Sequence, residues 1–148
     1  MNNIQIKVKK LKEGAVMPTG SDLYACIDSP IVIAPHETVM IGTGLAMEIP
    51  AGYAGLIYPR SGIASRRGLA PANKVGVVDP DYRGEFMVAM HNHSEAPATI
   101  EPGERIVQSS HLFSRRTLRR RTNSPILFAA KADSVPPVFI KIKMPECD

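Results

Sequence analysis

Two short segments contain residue types that suit phosphate oxygens and activation of a water molecule. In YPRSGIASRRG (58–68), an apolar run leads into Arg60, Ser61 and Gly62, which we place on a turn. A guanidinium fork, a hydroxyl group and a glycine that permits close backbone approach can together bind a phosphate group. The same residues also fit a solvated turn, because loops favour these types.

A carboxylate and an aromatic ring follow in NKVGVVDPDYRGE (73–85). The apolar run VGVV ends at Asp79, and PDYRG predicts a turn that carries Tyr82. A carboxylate at a strand end can orient and deprotonate a water molecule, and a tyrosine ring can lie flat against a sugar. The alternative is that Asp79 and Asp81 only form the turn, by hydrogen bonding to their own backbone.

Two further segments place polar side chains at the start of predicted strands. In PTGSDLYA (18–25), Asp22 lies between a glycine turn and a strand, where it can hold a metal ion through water or bond to nearby backbone. In PGERIVQ (102–108), Arg105 and Gln108 lie in an apolar context and need hydrogen-bonding partners. His91 and His93 share a face, and two histidines without a further ligand are more typical of a satisfied surface than of a metal site.

The elements that position these residues are short strands. The chain has 13 prolines and 11 glycines, so helices of ordinary length have little room. Six runs have the composition or alternation of strands: NIQIKVKKL, IVIAPHETVMIGTGLAMEI, GYAGLIYP, KVGVVD, EFMVAMHNHS and ATIEPGERIVQ. This pattern predicts an all-β fold, a jelly-roll-like antiparallel barrel or sandwich.

Composition indicates one soluble domain. A chain of 148 residues, 44% hydrophobic and 22% charged, lies in the globular range. No run approaches the roughly 18 apolar residues of a membrane span, and the basic start leads into no signal-peptide segment. Cys26 and Cys147 lack metal-type spacing, so we expect reduced thiols and a cytoplasmic protein without a membrane partner.

The segments GSDLYA, PRSGIA, GVVDPDYRGE and PGERIVQ, in this order and spacing, resemble motifs one to four of the homotrimeric dUTPase family (deoxyuridine 5'-triphosphate nucleotidohydrolases). The likeness covers residues 4–108. The related dCTP deaminases share the fold, but DYRGE after a hydrophobic Gly-x-x-Asp favours the hydrolase. The resemblance implies a jelly-roll homotrimer with sites at subunit junctions. It also implies a reaction that splits dUTP into dUMP and pyrophosphate with Mg²⁺.

The resemblance further implies a role for each matching residue. Asp79 matches the catalytic aspartate that orients the water attacking the α-phosphorus. Tyr82 matches the tyrosine whose ring lies under the deoxyribose and leaves no room for a 2'-hydroxyl, and Asn73 matches the asparagine that reads uracil. The remaining matches are Asp22 for a metal-bound water, Arg60, Ser61, Gly62 and Gln108 for the phosphates, and the backbone of Val77, Val78 and Met87 for the base.

Residues 109–148 depart from the family pattern. They contain eight Lys/Arg against three Asp/Glu, whereas residues 1–108 contain ten against eleven. The family's fifth motif, approximately Arg-Gly-x-x-Gly-Phe-Gly-Ser-Thr-Gly, covers the bound nucleotide, and it is not visible here. Its region instead contains SRRTLRRRTNS (114–124), which lacks the interleaved aromatic residues of a nucleic-acid-binding arm.

A shift of reading frame accounts for this departure. Permitted codons for KADSVPPV (131–138), read from the third base, encode Gly-Gly-Phe-Gly-Ser-Thr-Gly, and TNSPILFAAK (122–131) yields the preceding Arg-Gly-Glu in the same frame. Third bases are free choices here, whereas first and second bases are mostly determined. We therefore predict a frameshift near codon 108 or 109, a dUTPase-like β domain at 1–108 and an out-of-frame, disordered tail at 109–148.

Two other functions are compatible with this tail. One is a lid-less dUTP-binding protein with little activity, because the fifth motif excludes water from the site. The other is a nucleic-acid-binding module that uses the basic tail, which would bind DNA with a steep salt dependence.

Overall fold

The computed structural model describes residues 5–113 and 138–141. These residues form short strands and one short helix. The elements are β1 (Gln5–Lys10), β2 (Asp22–Tyr24), β3 (Ile31–Ile33), β4 (Thr38–Gly42), β5 (Leu45–Glu48), β6 (Tyr53–Pro59), α1 (Ser61–Arg67), β7 (Leu69–Pro71), β8 (Gly76–Val78), β9 (Met87–Asn92), β10 (Ala98–Ile100), β11 (Arg105–Phe113) and β12 (Val138–Lys141). Each of the six predicted β-rich runs contains at least one of these strands.

The strands pair antiparallel in four sheets. Their orders are β12-β1-β5, β10-β3, β2-β11-β6-β8 and β4-β9-β7. In the described ranges these sheets remain open and do not close into one barrel. The prediction of an all-β antiparallel fold is confirmed, and no helix among the described residues is long and apolar enough to cross a membrane.

The core follows from period-2 alternation along the strands. In β9, Val88 and Met90 point inward and are buried, whereas Met87 on the opposite face is half exposed. Burial of such apolar side chains is the main favourable contribution to folding. Fully buried side chains from several sheets contribute to this one core, among them Leu23, Ile33, Ile41, Leu45, Leu69, Ile100 and Ile106.

Residues 61–67 form a helix, so the prediction of a turn at Arg60, Ser61 and Gly62 was incomplete. Arg60 is extended and precedes α1, and Gly68 ends the helix in the left-handed conformation, with φ 66°. A Cβ atom at position 68 would lie 2.8 Å from Cβ of Ser94, so only glycine fits this helix end. At the other end of the helix, Ser61 and Gly62 are exposed in the first turn of α1.

Strand β11 continues beyond the predicted boundary at residue 108. It pairs with β6 as far as Phe113, opposite Tyr53, and the side chain of Ser109 is buried. Val138–Lys141 form β12, which pairs with β1. The basic segment at 114–124 and Cys147 lie outside the described residues, so the frameshift and the disorder of the tail stay predictions.

Candidate active site

One cleft of about 540 Å³ contains six of the predicted site residues. The turn after β8 forms one wall, and the outward face of β4 and β9 contributes Met40, Met87 and Ala89. The six residues are Asn73, Val77, Val78, Asp79, Tyr82 and Met87. The structure therefore brings together the residues expected to bind the base and the sugar and the residue expected to activate water.

Asp79 follows β8 directly, as predicted, and its side chain is exposed to the cleft. The turn that it begins is held by two hydrogen bonds of Tyr82. The backbone N–H of Tyr82 donates to the main-chain oxygen of Asp79 at 3.1 Å, and the Tyr82 hydroxyl donates to the main-chain oxygen of Glu85 at 2.9 Å. These bonds restrain the Tyr82 ring, and because the residue is 45% exposed, part of its surface stays available to a ligand.

The far end of this turn is attached to the loop between β4 and β5. A carboxylate oxygen of Glu85 accepts a hydrogen bond from the Gly44 N–H at 2.8 Å, and the Thr43 hydroxyl donates to the Phe86 oxygen at 2.7 Å. The Phe86 N–H donates to the Leu45 oxygen at 2.8 Å. Because both ends of the turn are bonded to neighbouring elements, the cleft wall is largely preformed.

Asn73 lies on the tight turn that leads into β8. The backbone N–H of Val75 donates to the main-chain oxygen of Asn73 at 2.7 Å, and Lys74 adopts a positive φ of 66°. Strand β8 is at the edge of its sheet, so alternate backbone groups face away from β6. The exposed Asn73 side chain and this strand edge can offer donors and acceptors to a planar base.

A second cluster is formed by one carboxylate and two guanidinium groups. One oxygen of Asp22 accepts a hydrogen bond from Arg60 Nε at 3.1 Å, and the other accepts one from Arg105 Nη1 at 3.3 Å. Arg60 Nη1 also donates to the main-chain oxygen of Arg105 at 3.3 Å. The Asp22 side chain is only 12% exposed, whereas Arg105 is 53% exposed.

Strand register places Gln108 beside this cluster. Gln108 is opposite Asp22 on β2 and opposite Tyr58 on β6, so the three side chains share one face of the sheet. Sequence reasoning assigned no site role to Tyr58 or Arg105. The run GYAGLIYP could have indicated Tyr58, because its alternation places Tyr58 and Leu56 on one face, but its neighbour across the sheet depends on pairing.

The residues expected to bind the nucleoside and those expected to bind the phosphates do not line one common cleft in this chain. Asp22, Arg60, Ser61, Gly62 and Gln108 are absent from the lining of the cleft that contains Asp79, as far as the described residues extend. The cleft around Asp79 suits a nucleoside, and the cluster around Asp22 suits a phosphate chain.

Asp22 can contact a metal ion through water in this arrangement. Each of its oxygens already accepts a hydrogen bond from a guanidinium, but further lone pairs can accept one from a metal-bound water. Within residues 5–113 and 138–141 no three His, Cys, Asp or Glu side chains are grouped so that they could hold a metal. This donor set fits Mg²⁺ that takes its ligands mainly from substrate phosphates and water.

The histidine pair forms a polar patch near the end of β9. His91 Nδ1 is hydrogen-bonded to the Thr38 hydroxyl at 2.8 Å, and the rings of His91 and His93 are 4.4 Å apart. The pKa of His93 is lowered by partial burial of its ring and then by the nearby His91, Lys74 and His36. Within the described residues, no third His, Cys, Asp or Glu joins this pair in a group that could hold a metal ion.

The chain is similar to known proteins over most of its length. The dUTPase family model matches residues 7–109. The chain is 41% identical over 115 residues to the deoxyuridine 5'-triphosphate nucleotidohydrolase of Syntrophotalea carbinolica, covering 73% of this chain and 78% of that protein.

Two solved structures of phage proteins share the fold. One is a mutant dUTPase of Staphylococcus bacteriophage 80alpha with dUpNHpp, with a TM-score of 0.67 and 25% identity over 87% of this chain and 98% of that one. The other is a mutant dUTPase of phage phi11 of S. aureus, described with a structural Mg(II) ion, with a TM-score of 0.66 and 21% identity over 88% and 99%. The match over residues 7–109 and the identity to a curated relative show that this chain belongs to the dUTPase family.

Proposed function

We propose that this protein hydrolyses dUTP to dUMP and pyrophosphate with the assistance of Mg²⁺. The observation that carries the proposal is the position of Asp79. Its exposed carboxylate ends an edge strand and lies in the same cleft as Asn73 and the restrained ring of Tyr82. Membership of the dUTPase family supports the same reaction.

Base selection uses the edge strand β8 and the turns on either side of it. The Asn73 side chain and the backbone of Val77, Val78 and Met87 pair with the edge of uracil. The amino group of cytosine would face a donor there, and a clashing hydrogen bond in a desolvated pocket can discriminate by ~10⁴-fold. The Tyr82 ring lies under the deoxyribose, where a 2'-hydroxyl has no room.

The reaction is an attack of water on the α-phosphorus. Asp79 orients the water and accepts its proton as the bond from oxygen to phosphorus forms. The bond between the α-phosphorus and the oxygen bridging to the β-phosphorus breaks, and pyrophosphate leaves with that electron pair. Positioning and charge neutralisation supply most of the acceleration in phosphoryl transfer.

The phosphate chain binds at the second cluster. Arg60, Ser61, Gly62 and Gln108 supply the donors, with Arg60 held in place by Asp22. Asp22 would help to hold Mg²⁺ by accepting a hydrogen bond from a water of that ion, and the ion would supply neutralisation of the phosphate charge.

A homotrimer would complete the site. The nucleoside cleft and the second cluster are separate in one chain, so a neighbouring copy that brings its Arg60 and the start of its α1 to the cleft would join them. Met40 and Met87, 53% and 50% exposed on the outward face of β4 and β9, are apolar side chains that a second copy could cover. We infer that the trimer acts in the cytoplasm, without membrane or nucleic-acid partners.

The proposal is tested by measuring pyrophosphate release from dUTP, dCTP, dTTP and UTP. The unsubstituted chain should act on dUTP alone, and Asp79→Asn should lower the rate about 10²- to 10⁴-fold while dUpNHpp still binds. Asp28→Asn, an equal change of charge at an exposed position outside the cleft, serves as the control and should keep full activity. Equal rates for Asp79→Asn and the control would refute the proposal.

The alternative of a lid-less binding protein is favoured by the missing fifth motif. It predicts calorimetric binding of dUpNHpp with negligible release of pyrophosphate. A nucleic-acid-binding module would instead retain DNA with a steep dependence on salt, and the retention would be lost when residues 114–121 are deleted.

A further inference from the structure

A β-bulge in β11 turns the side chain of Arg105 toward Asp22 in the second cluster. The register with β2 shifts between Arg105 and Val107, and both Ile106 and Val107 are fully buried although they are consecutive. In a regular strand, residues three apart point to opposite faces. The extra inward residue therefore puts Arg105 and Gln108 on the same outer face, and bulges often re-aim side chains next to active sites in this way.

The re-aimed side chain completes the coordination of Asp22. Arg60 Nε occupies one carboxylate oxygen at 3.1 Å, and Arg105 Nη1 occupies the other at 3.3 Å. An aspartate held at one oxygen can still rotate about its last torsion, because that torsion is broad. With both oxygens bonded, rotation breaks a charge-assisted hydrogen bond, so the plane of the carboxylate is fixed.

The main chain of Arg105 restrains Arg60 a second time. Its Nη1 donates to the Arg105 main-chain oxygen at 3.3 Å, while its Nε is bonded to Asp22. Two contacts from different atoms of one guanidinium define its plane. The Arg60 side chain is only 23% exposed, so the remaining N–H groups have a restricted set of directions.

We propose that Arg105 is a positioning residue for phosphate recognition, which acts through Asp22 to orient the guanidinium of Arg60. This inference rests on the proposed function and adds a residue to which the family resemblance gave no role. Arg105 itself need not touch the substrate. Its contribution is to reduce the conformational freedom that Arg60 would otherwise lose on binding.

The test is a double-mutant cycle on the full chain, with binding of dUpNHpp measured by calorimetry, so that turnover is not required. Arg105→Met should weaken binding on the order of fivefold, the range of a partly exposed charge pair. In the Asp22→Asn background, the same substitution should change binding by less than about twofold, because the link to Arg60 is already broken. Arg105→Lys, which keeps one donor for Asp22, should recover part of the loss.

Three controls separate positioning from general charge, from changes at the nucleoside cleft and from folding. Arg66→Met removes the same charge from an exposed position in α1 and should leave dUpNHpp binding unchanged. Deoxyuridine, which lacks phosphates, should bind all folded variants equally in chemical-shift titrations. Thermal unfolding verifies that each variant is folded, and Arg105→Gln replaces Arg105→Met if the latter is not.

The outcomes are distinct. Additive effects of Asp22→Asn and Arg105→Met, or an equal loss for Arg66→Met, would overturn the positioning role while dUTP binding stands. Failure of the unsubstituted chain to bind dUpNHpp would overturn the proposed function and, with it, this inference.

Discussion

Tyr82 and Glu85 close the turn after Asp79 by a hydrogen bond from the tyrosine hydroxyl to the Glu85 main-chain oxygen, 2.9 Å long. The bond spans three residues and restrains the aromatic ring of a residue that is 45% exposed. Gly84 lies directly beside that ring. A Cβ atom at position 84 would be 2.6 Å from the Tyr82 hydroxyl oxygen and 2.8 Å from Cζ. The ring can occupy its place only because residue 84 has no side chain.

Gly84→Ala should therefore displace the Tyr82 ring and weaken selection against ribose. We expect the ratio of kcat/KM for dUTP over UTP to fall about tenfold, as one sugar contact is lost. Tyr82→Phe, which keeps the ring and removes only the hydrogen bond, should have a smaller effect. Steady-state kinetics with both nucleotides measure this ratio, and an unchanged ratio in Gly84→Ala would contradict the assigned role of the ring.

We expect the C-terminal end of β9 to depend on the polar side chain of Asn92 for its stability. Asn92 is fully buried, and its Nδ2 donates to the oxygens of Ile33 and Ala96 at 3.0 and 2.8 Å. Its Oδ1 accepts from the N–H and hydroxyl of Ser94. Asn92→Ala leaves these groups unpaired and should lower the free energy of unfolding by about 3 kcal/mol.

Urea denaturation measures the effect of Asn92→Ala. Ser94→Ala removes the hydroxyl alone from the same network and should cost about 1 kcal/mol. Equal losses in the two variants would show that the Asn92 amide does not have this role.

Stability should fall as the pH drops below the ordinary histidine pKa of 6.5, in part because of His93. The pKa of His93 is lowered in the folded state by partial burial and by its electrostatic interactions with His91, Lys74 and His36. The unfolded chain therefore binds a proton first as the pH falls, and the folded state loses stability between 6.5 and the lowered pKa.

Unfolding temperatures measured at about pH 7.5 and about pH 5.5 test this expectation, with His93→Gln as the variant. The substitution should reduce the difference between the two temperatures. A difference of the same size in His93→Gln would assign the effect to other groups.

Restoring the predicted reading frame after residue 108 should raise turnover of dUTP. The restored sequence is predicted to contain the family's fifth motif, which we expect to exclude water from the site and to align the phosphates. We expect kcat to rise by about 10²-fold relative to the present chain, because alignment and water exclusion are large terms. Residues 1–108 are identical in both proteins, so equal rates would indicate that the present tail replaces the motif or that neither is needed.

Much of the site could be predicted from local sequence. Asp79 and Tyr82 belong to a turn whose Asp-Pro-Asp-Tyr-Arg-Gly chemistry is encoded within six residues, and the structure places both in one cleft. The strands were predictable for the same reason, because period-2 alternation and Gly/Pro boundaries act over a few residues. Helix α1 was not predicted, because seven residues next to a proline give a weak helical signal.

Tertiary structure alone decided which polar side chains meet. Asp22 and Arg105 are 83 residues apart in sequence, and their contact depends on the pairing of β2 with β11 and on the bulge between them. The same pairing aligns Asp22, Gln108 and Tyr58 on one face. The sequence by itself determined the residue types and the strands that hold them, because turn chemistry and alternation are local. Their neighbours across the sheets were decided by long-range register, in which a shift of one residue turns every side chain to the opposite face.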